Sequence, residues 1–193
     1  MELTVLLRYV VNVLEKLSIP YLVTGSTAII AFGEPRFTND VDVIIDLKSD
    51  QVDSFCQSFP KDEFYFNGST VRDAVKQKRQ FNVIHPSAGL KVDFIIRKET
   101  PFDDSRFERA RRIRPASDFD ALFASPEDVI IKKMDYYRMG CLEKHLRDIS
   151  GVLNVSGHRI DYDYIETWTE QLKLEDIWQA ILNRIDRSSE HEN

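Results

Sequence analysis

The sequence has few cysteines and no long apolar segment. Its two cysteines, Cys56 and Cys141, lie far apart and outside any Cys-x-x-Cys or Cys/His spacing, so neither a disulfide framework nor a zinc site is expected. A run of about 18 apolar residues, which a transmembrane helix requires, does not occur in the sequence. Glu2 and Arg8 interrupt the apolar N-terminus, and no small-residue cleavage site follows it. We therefore expect a cytoplasmic protein without membrane or export segments.

Glycine and proline are also scarce, and basic residues are fewer than acidic ones. Glycine and proline number seven each, and hydrophobic residues make up 42% of the 193 residues, which excludes a fibrous or disordered chain and predicts one that folds. Acidic residues outnumber basic ones by 32 to 26, giving a net charge of -6. Attraction of the whole molecule to nucleic acid or anionic lipid is therefore not expected.

One local basic patch departs from this acidic balance. The stretch RFERARRIR contains Arg106, Arg109, Arg111, Arg112 and Arg114. Such a run can follow RNA phosphates, or it can form a solvated face that carboxylates such as Asp103 and Asp104 balance. Both interpretations stay open on the sequence alone.

Two segments alternate between apolar and polar residues and predict strands that are covered on one face. The apolar positions are Val41, Val43, Ile45 and Leu47 in the first segment, and Leu90, Val92, Phe94 and Ile96 in the second. The other face of the first segment carries Asp40 and Asp42, and that of the second carries Lys91 and Asp93. Residues two apart on a strand project to the same side, so Asp40 and Asp42 are expected to lie side by side.

The remaining periodicity predicts a mixed α/β, or α+β, chain that becomes entirely helical toward its end. Further strands are predicted over 21–24 and 81–84, and helices over 2–17, 26–32, 49–59, 69–78, 126–139, 142–153, 162–172 and 174–186. We expect a core over residues 1–120 and a helical region over 121–193 that packs on it.

The pair Asp40 and Asp42 differs from the two other D-x-D pairs because it opens a strand. Neighbouring carboxylates repel, and each resists ionisation unless a cation lies between them. Oxygen-only ligands suit magnesium, and Asp93 on its own strand can supply a third carboxylate. The alternative is a set of solvated carboxylates on an exposed sheet face.

Gly25 and Ser26 lie where the strand over 21–24 gives way to a helix. Glycine allows close approach of the backbone, and the free amides at a helix N-terminus attract anions. A phosphate would suit this position, although serine is also a common N-terminal cap.

These residues resemble the signature of a known superfamily. The segment TGSTAIIAFGEPRFTNDVDVIID resembles that of DNA polymerase β-type nucleotidyltransferases, and GLKVDFII resembles their third-carboxylate strand. The spacing of Arg36, Thr38, Asp40 and Asp42 is similar to that of small bacterial members related to abortive-infection and toxin-antitoxin nucleotidyltransferases. The resemblance implies a nucleotidyltransferase fold, with a small mixed β-sheet backed by helices and an all-helical C-terminal region.

The same resemblance implies metal-dependent transfer of an NMP from an NTP to an acceptor hydroxyl, with release of pyrophosphate. It gives the metal ligands and catalytic residues as Asp40, Asp42 and Asp93, with Mg²⁺ or Mn²⁺ as the metal. It gives the nucleotide contacts as Gly25, Ser26, Arg36, Thr38 and Lys133. The acceptor stays open among RNA, a protein and a small molecule, and a cognate antitoxin or a homodimer is the partner to expect.

Lys133 has a second interpretation. It follows Val129 by four residues and Ile130 by three, so it lies on the inward stripe of its helix. It can reach a cleft, or it can extend its ammonium from the edge of a helical core, and Asp148 in the segment KHLRDI is its potential partner.

Two other function classes remain open. One is a catalytically inactive nucleotide-binding or toxin-antitoxin regulatory module. The other is a non-enzymatic interaction protein that uses its helical C-terminal third.

Overall fold

The protein divides into two units that each have their own core. The computed structural model describes residues 1–33 and 37–191. The first unit comprises Met1–Ala28 and Arg36–Ala124, and the second comprises Ile29–Pro35 and Ser125–Asn193. One helix, Gly25–Phe32, contributes residues to both units.

A six-stranded mixed sheet organises the first unit. Its strands are β1 (Tyr21–Thr24), β2 (Asp40–Ile45), β3 (Gln80–His85), β4 (Leu90–Ile96), β5 (Arg111–Ala116) and β6 (Phe119–Phe123). They lie in the order β3-β4-β2-β1-β6-β5. The pairs β2/β4 and β1/β6 are parallel and the other pairs are antiparallel. The α+β prediction with a small mixed sheet is therefore confirmed.

Helices complete the first unit. They are α1 (Leu3–Lys16), the start of α2 (Gly25–Phe32), α3 (Val52–Gln57), α4 (Gly68–Gln77) and α5 (Pro101–Glu108). Helix α1 buries the stripe Leu6, Leu7, Val10 and Leu14, as its spacing predicts.

Aromatic rings form the centre of the first core. Phe94 on β4 stacks on Phe81 of β3, with ring centroids 5.2 Å apart, and meets Phe55 of α3 edge-on at 5.1 Å. Burying one such ring stabilises the fold by about 1.5–3 kcal/mol. Because side chains alternate along a strand, this packing turns Asp93 to the opposite face of the sheet.

Among the described residues, four α-helices build the second unit, together with the end of α2. They are α6 (Pro126–Gly140), α7 (Glu143–Ser156), α8 (Tyr162–Leu172) and α9 (Glu175–His191). The Ser125 hydroxyl caps α6 by accepting a hydrogen bond from the Asp128 amide at 3.2 Å, and Pro126 fits the first turn. The Ser156 hydroxyl donates to the Phe32 carbonyl at 2.5 Å, which ties α7 to α2. The all-helical C-terminal prediction is confirmed.

The arginine-rich stretch is where the fold departs most from the sequence prediction. It contributes to α5 and to strand β5, which pairs with β6, and none of these three elements was predicted. Among the described residues, none of the helices combines the length and the apolar character that a bilayer crossing requires.

Candidate active site

Two paired strands bring the predicted carboxylates to one face of the sheet. The parallel register of β2 and β4 sets Asp42 opposite Asp93 and Asp40 opposite Lys91. Directly paired residues project to the same face, and so do residues two apart on one strand. Asp40, Asp42, Lys91 and Asp93 therefore form a two-by-two set, which we call the charged array.

The ammonium of Lys91 lies against two of these carboxylates. Its Nζ is 2.8 Å from Asp93 Oδ2 and 3.8 Å from Asp40 Oδ1. The hydrogen bond to Asp93 raises the pKa of Lys91, and the charges of all three array aspartates add to the effect, although partial burial opposes it. The array thus contains one positive and three negative side chains within electrostatic reach of each other.

Solvent reaches the array from one side. The Asp40 side chain is 51% exposed, that of Lys91 34% and that of Asp93 21%, whereas the alternate residues Val41 and Val92 are fully buried. A ligand can therefore approach the carboxylates from solvent while the strands that carry them stay fixed in the core. Among the side chains that the structure describes, no three His, Cys, Asp or Glu residues already form a group able to hold a metal ion.

Gly25 makes the bend between β1 and α2, directly beside Asp42. Its φ of +62° falls in the left-handed region, and a Cβ added there would overlap the Asp42 side chain, lying 2.7 Å from its Cβ. Both observations require glycine. The β1/β2 register explains the proximity, because Thr24, which precedes the bend, pairs with Asp42.

The first turn of α2 is tied to the start of β2. The Ser26 amide donates to Asp42 Oδ2 at 3.4 Å, and the Thr27 hydroxyl donates to the Asp40 carbonyl at 3.4 Å. The structure therefore brings together the Gly25-Ser26 bend and the carboxylate pair. Sequence reasoning placed them on separate elements, and the antiparallel pairing of β1 with β2 joins them.

Solved structures have a similar overall fold. The chain matches an antigenic nucleotidyltransferase-like protein from Paracoccidioides brasiliensis with a TM-score of 0.53 and 17% identity, over 89% of this chain and 88% of that one. It matches a lincosamide antibiotic adenylyltransferase, solved with lincomycin bound, with a TM-score of 0.52 and 12% identity, over 78% of this chain and 96% of that one. The chain has the nucleotidyltransferase fold. Sequence comparison gives no match to a protein-family model or to a curated protein.

Within the nucleotidyltransferase fold, the other predicted contacts lie in different places. Thr38 precedes β2, and its hydroxyl accepts a hydrogen bond from the Asp40 amide at 3.3 Å. Arg36 lies outside the described residues. Lys133 belongs to the second unit, where its ammonium bonds to Asp148 Oδ2 at 2.7 Å.

The buried position of Arg106 corrects the interpretation of the arginine run as one solvated face. Arg106 is only 4% exposed, and its guanidinium donates to Asp103 Oδ1 at 3.2 Å and to Thr24 Oγ1 at 3.4 Å. The buried guanidinium thus holds the residue that precedes the Gly25 bend. Arg111, Arg112 and Arg114 are exposed on β5.

Sequence reasoning assigned no role to Lys91 and treated Arg106 only as one member of the arginine run. Lys91 shares the polar face of Asp93 in the alternating pattern, which was the available signal, but its approach to Asp40 depends on the β2/β4 register. The bond of Arg106 to Thr24 gave no signal, because Thr24 belongs to a strand 82 residues earlier.

Proposed function

We propose that the protein is a metal-dependent nucleotidyltransferase that moves an NMP from an NTP to an acceptor hydroxyl and releases pyrophosphate. The observation that carries the proposal is the strand register, which sets Asp42 opposite Asp93 and next to the Gly25 bend. The nucleotidyltransferase fold supports it.

The charged array has the chemistry that a divalent cation needs. Its ligand atoms are carboxylate oxygens, which Mg²⁺ and Mn²⁺ prefer, and the ammonium of Lys91 already lies against Asp93 and Asp40 as a stand-in cation. We assign Asp40, Asp42 and Asp93 as the residues that would hold the metal. When bound there, such a metal would offset the negative charge on the attacking and leaving oxygens.

The Gly25-Ser26 bend would receive the β- and γ-phosphates of the NTP. Glycine at the bend lets the backbone lie against the Asp42 side chain, and the amides of the first α2 turn carry partial positive charge that favours an anion. The hydrogen bond from the Ser26 amide to Asp42, at 3.4 Å, is longer than an ordinary N–H···O bond. Little hydrogen-bond energy would therefore be lost if this amide donated to a phosphate instead.

The transfer would then be a substitution at the α-phosphorus. The acceptor oxygen forms a bond to that phosphorus while the bond to the pyrophosphate oxygen breaks, and Asp93 accepts the hydroxyl proton. Thr38 and Arg36 are further nucleotide contacts in this proposal, and the nucleotide contact of Lys133 stays a prediction from the sequence. Positioning and charge stabilisation supply most of the rate in phosphoryl transfer.

The acceptor class is open, and one experiment addresses it together with turnover. The protein is incubated with Mg²⁺ and each NTP labelled on the α-phosphate, in the presence of RNA, a protein fraction or hydroxyl-bearing antibiotics. The adenylyltransferase neighbour was solved with lincomycin bound, so lincosamides belong in the small-molecule arm. Transfer of label with release of pyrophosphate is expected for one acceptor class.

Matched variants make this experiment specific to the site. Asp40→Asn and Asp42→Asn should lose label transfer while keeping their far-ultraviolet circular dichroism. Asp46→Asn is the control, because Asp46 directly follows β2 but pairs with Lys48 and Arg97 outside the array. Undiminished transfer in both array variants would refute the assignment, and NTP binding without transfer to any acceptor would favour the inactive regulatory module.

A further inference from the structure

Lys91 places a positive charge where the proposed function requires a divalent ion. Its ammonium hydrogen-bonds Asp93 and lies 3.8 Å from Asp40, so it spans the two strands that carry the array. Carboxylates held this close repel each other. The lysine offsets that repulsion in the protein itself.

The side chain is held by charge, not by burial. Lys91 is 34% exposed, and its four-carbon stem is flexible. The ammonium can therefore leave Asp93 for solvent without opening the aromatic core, which lies on the other face of β4.

We propose that Lys91 is a resident counter-cation of the charged array, which competes with a divalent ion for Asp93 and Asp40. The inference rests on the proposed function, because it assumes that the array receives such an ion. Lys91 then stabilises the metal-free protein and weakens divalent binding, since the two cations repel each other at one set of oxygens. It is a positioning residue that acts through the carboxylates.

Direct measurement of Mn²⁺ binding tests this role without reference to catalysis. Free Mn²⁺ is followed by electron paramagnetic resonance at fixed ionic strength and without nucleotide, in the wild type and in Lys91→Met. We expect Lys91→Met to bind Mn²⁺ at least about tenfold more tightly than the wild type. This change corresponds to about 1.4 kcal/mol in the free energy of binding. Lys91→Arg keeps the charge and should bind as the wild type does.

Lys78→Met is the matched control. Lys78 is 35% exposed, and its ammonium lies 2.9 Å from a carboxylate oxygen of Glu99. Its exposure and its distance to the paired oxygen are thus close to those of Lys91, but Glu99 lies outside the array. If Lys78→Met and Lys91→Met bind Mn²⁺ more tightly by the same factor, the effect comes from net charge alone, and the inference is overturned. Without metal, Lys91→Met should also show a lower urea midpoint than Lys78→Met, and Mn²⁺ should restore it.

Asp42→Asn separates failure of the inference from failure of the proposed function. If Asp42→Asn removes Mn²⁺ binding but Lys91→Met binds no more tightly than the wild type, the role of Lys91 is wrong and the metal site stands. If neither the wild type nor Lys91→Met binds Mn²⁺, both the inference and the proposed metal site are wrong. Lys91→Gln gives the same test should Lys91→Met not fold.

Discussion

The buried ion pair between Lys133 and Asp148 predicts an asymmetric response to substitution. Lys133 Nζ lies 2.7 Å from Asp148 Oδ2, and the two side chains are only 9% and 7% exposed. At this separation the attraction is about 6 kcal/mol with an effective dielectric constant of about 20. Desolvation costs several kcal/mol for each ion, so the net stabilisation by the pair is small although each partner depends on the other.

Single and paired substitutions should therefore behave differently. Lys133→Met leaves the buried Asp148 carboxylate without its ammonium, and we expect a loss of about 3–5 kcal/mol in the free energy of unfolding. Asp148→Leu should cost a similar amount. The double variant, with two apolar side chains, should regain most of the loss, because neither charge is then buried.

Urea unfolding followed by circular dichroism measures each free energy in this double-mutant cycle. Lys132→Met is the control, since Lys132 pairs with Asp135 at a more exposed site, with 27% of its side chain exposed, and should cost below about 1 kcal/mol. The reasoning fails if Lys133→Met costs no more than Lys132→Met, or if the double variant is as unstable as the sum of the singles. A stable double variant that binds NTP more weakly would support a nucleotide contact for Lys133 beyond its packing.

Two further predictions concern the bend and the pH dependence of stability. A non-glycine residue in the left-handed region costs about 1–2 kcal/mol, and Gly25→Ala should destabilise the protein by more than this because a Cβ there also meets Asp42. Gly89→Ala should show the conformational cost alone, since Gly89 has a φ of +63° and open space around its Cβ. Equal losses in urea unfolding would contradict this prediction. Burial raises the pKa of Tyr21 from 10.0 to about 12, so the neutral phenol contributes stability that is complete below pH 10 and is lost as pH rises toward 12. Tyr21→Phe should therefore flatten the decline of the urea midpoint between pH 10 and pH 12. The control Tyr65→Phe, at an exposed tyrosine, should leave the decline as it is. An unchanged decline in Tyr21→Phe would refute the link to Tyr21.

The central strands could be predicted because one strand alone encodes its two faces. The alternation around Asp42 and Asp93 identifies the buried and the polar side without knowledge of neighbours. The contact between Lys91 and Asp40 could not be predicted in this way. It depends on how β2 and β4 are aligned, and no single segment specifies that register.

The missed elements have a different physical cause. Helix α5 buries Asp103 and Arg106 beside Phe102, so its inward stripe contains charges that pair with each other and gives no apolar period. Strand β5 contains Pro115 and three arginines, which favour neither strand nor burial. Its pairing with β6 is a tertiary interaction, and such interactions override weak local propensity.

The composition of β5 has a consequence for how copies of the protein meet. It is the last strand at its end of the sheet, where unpaired backbone groups would otherwise template a strand from a second molecule. Across such a junction, positive charges of the two copies would lie close together and repel, since β5 exposes Arg111, Arg112 and Arg114. Pro115 offers no backbone amide for pairing, and the register shifts between Ile113 and Ala116. These features of β5 would oppose pairing of two copies edge to edge.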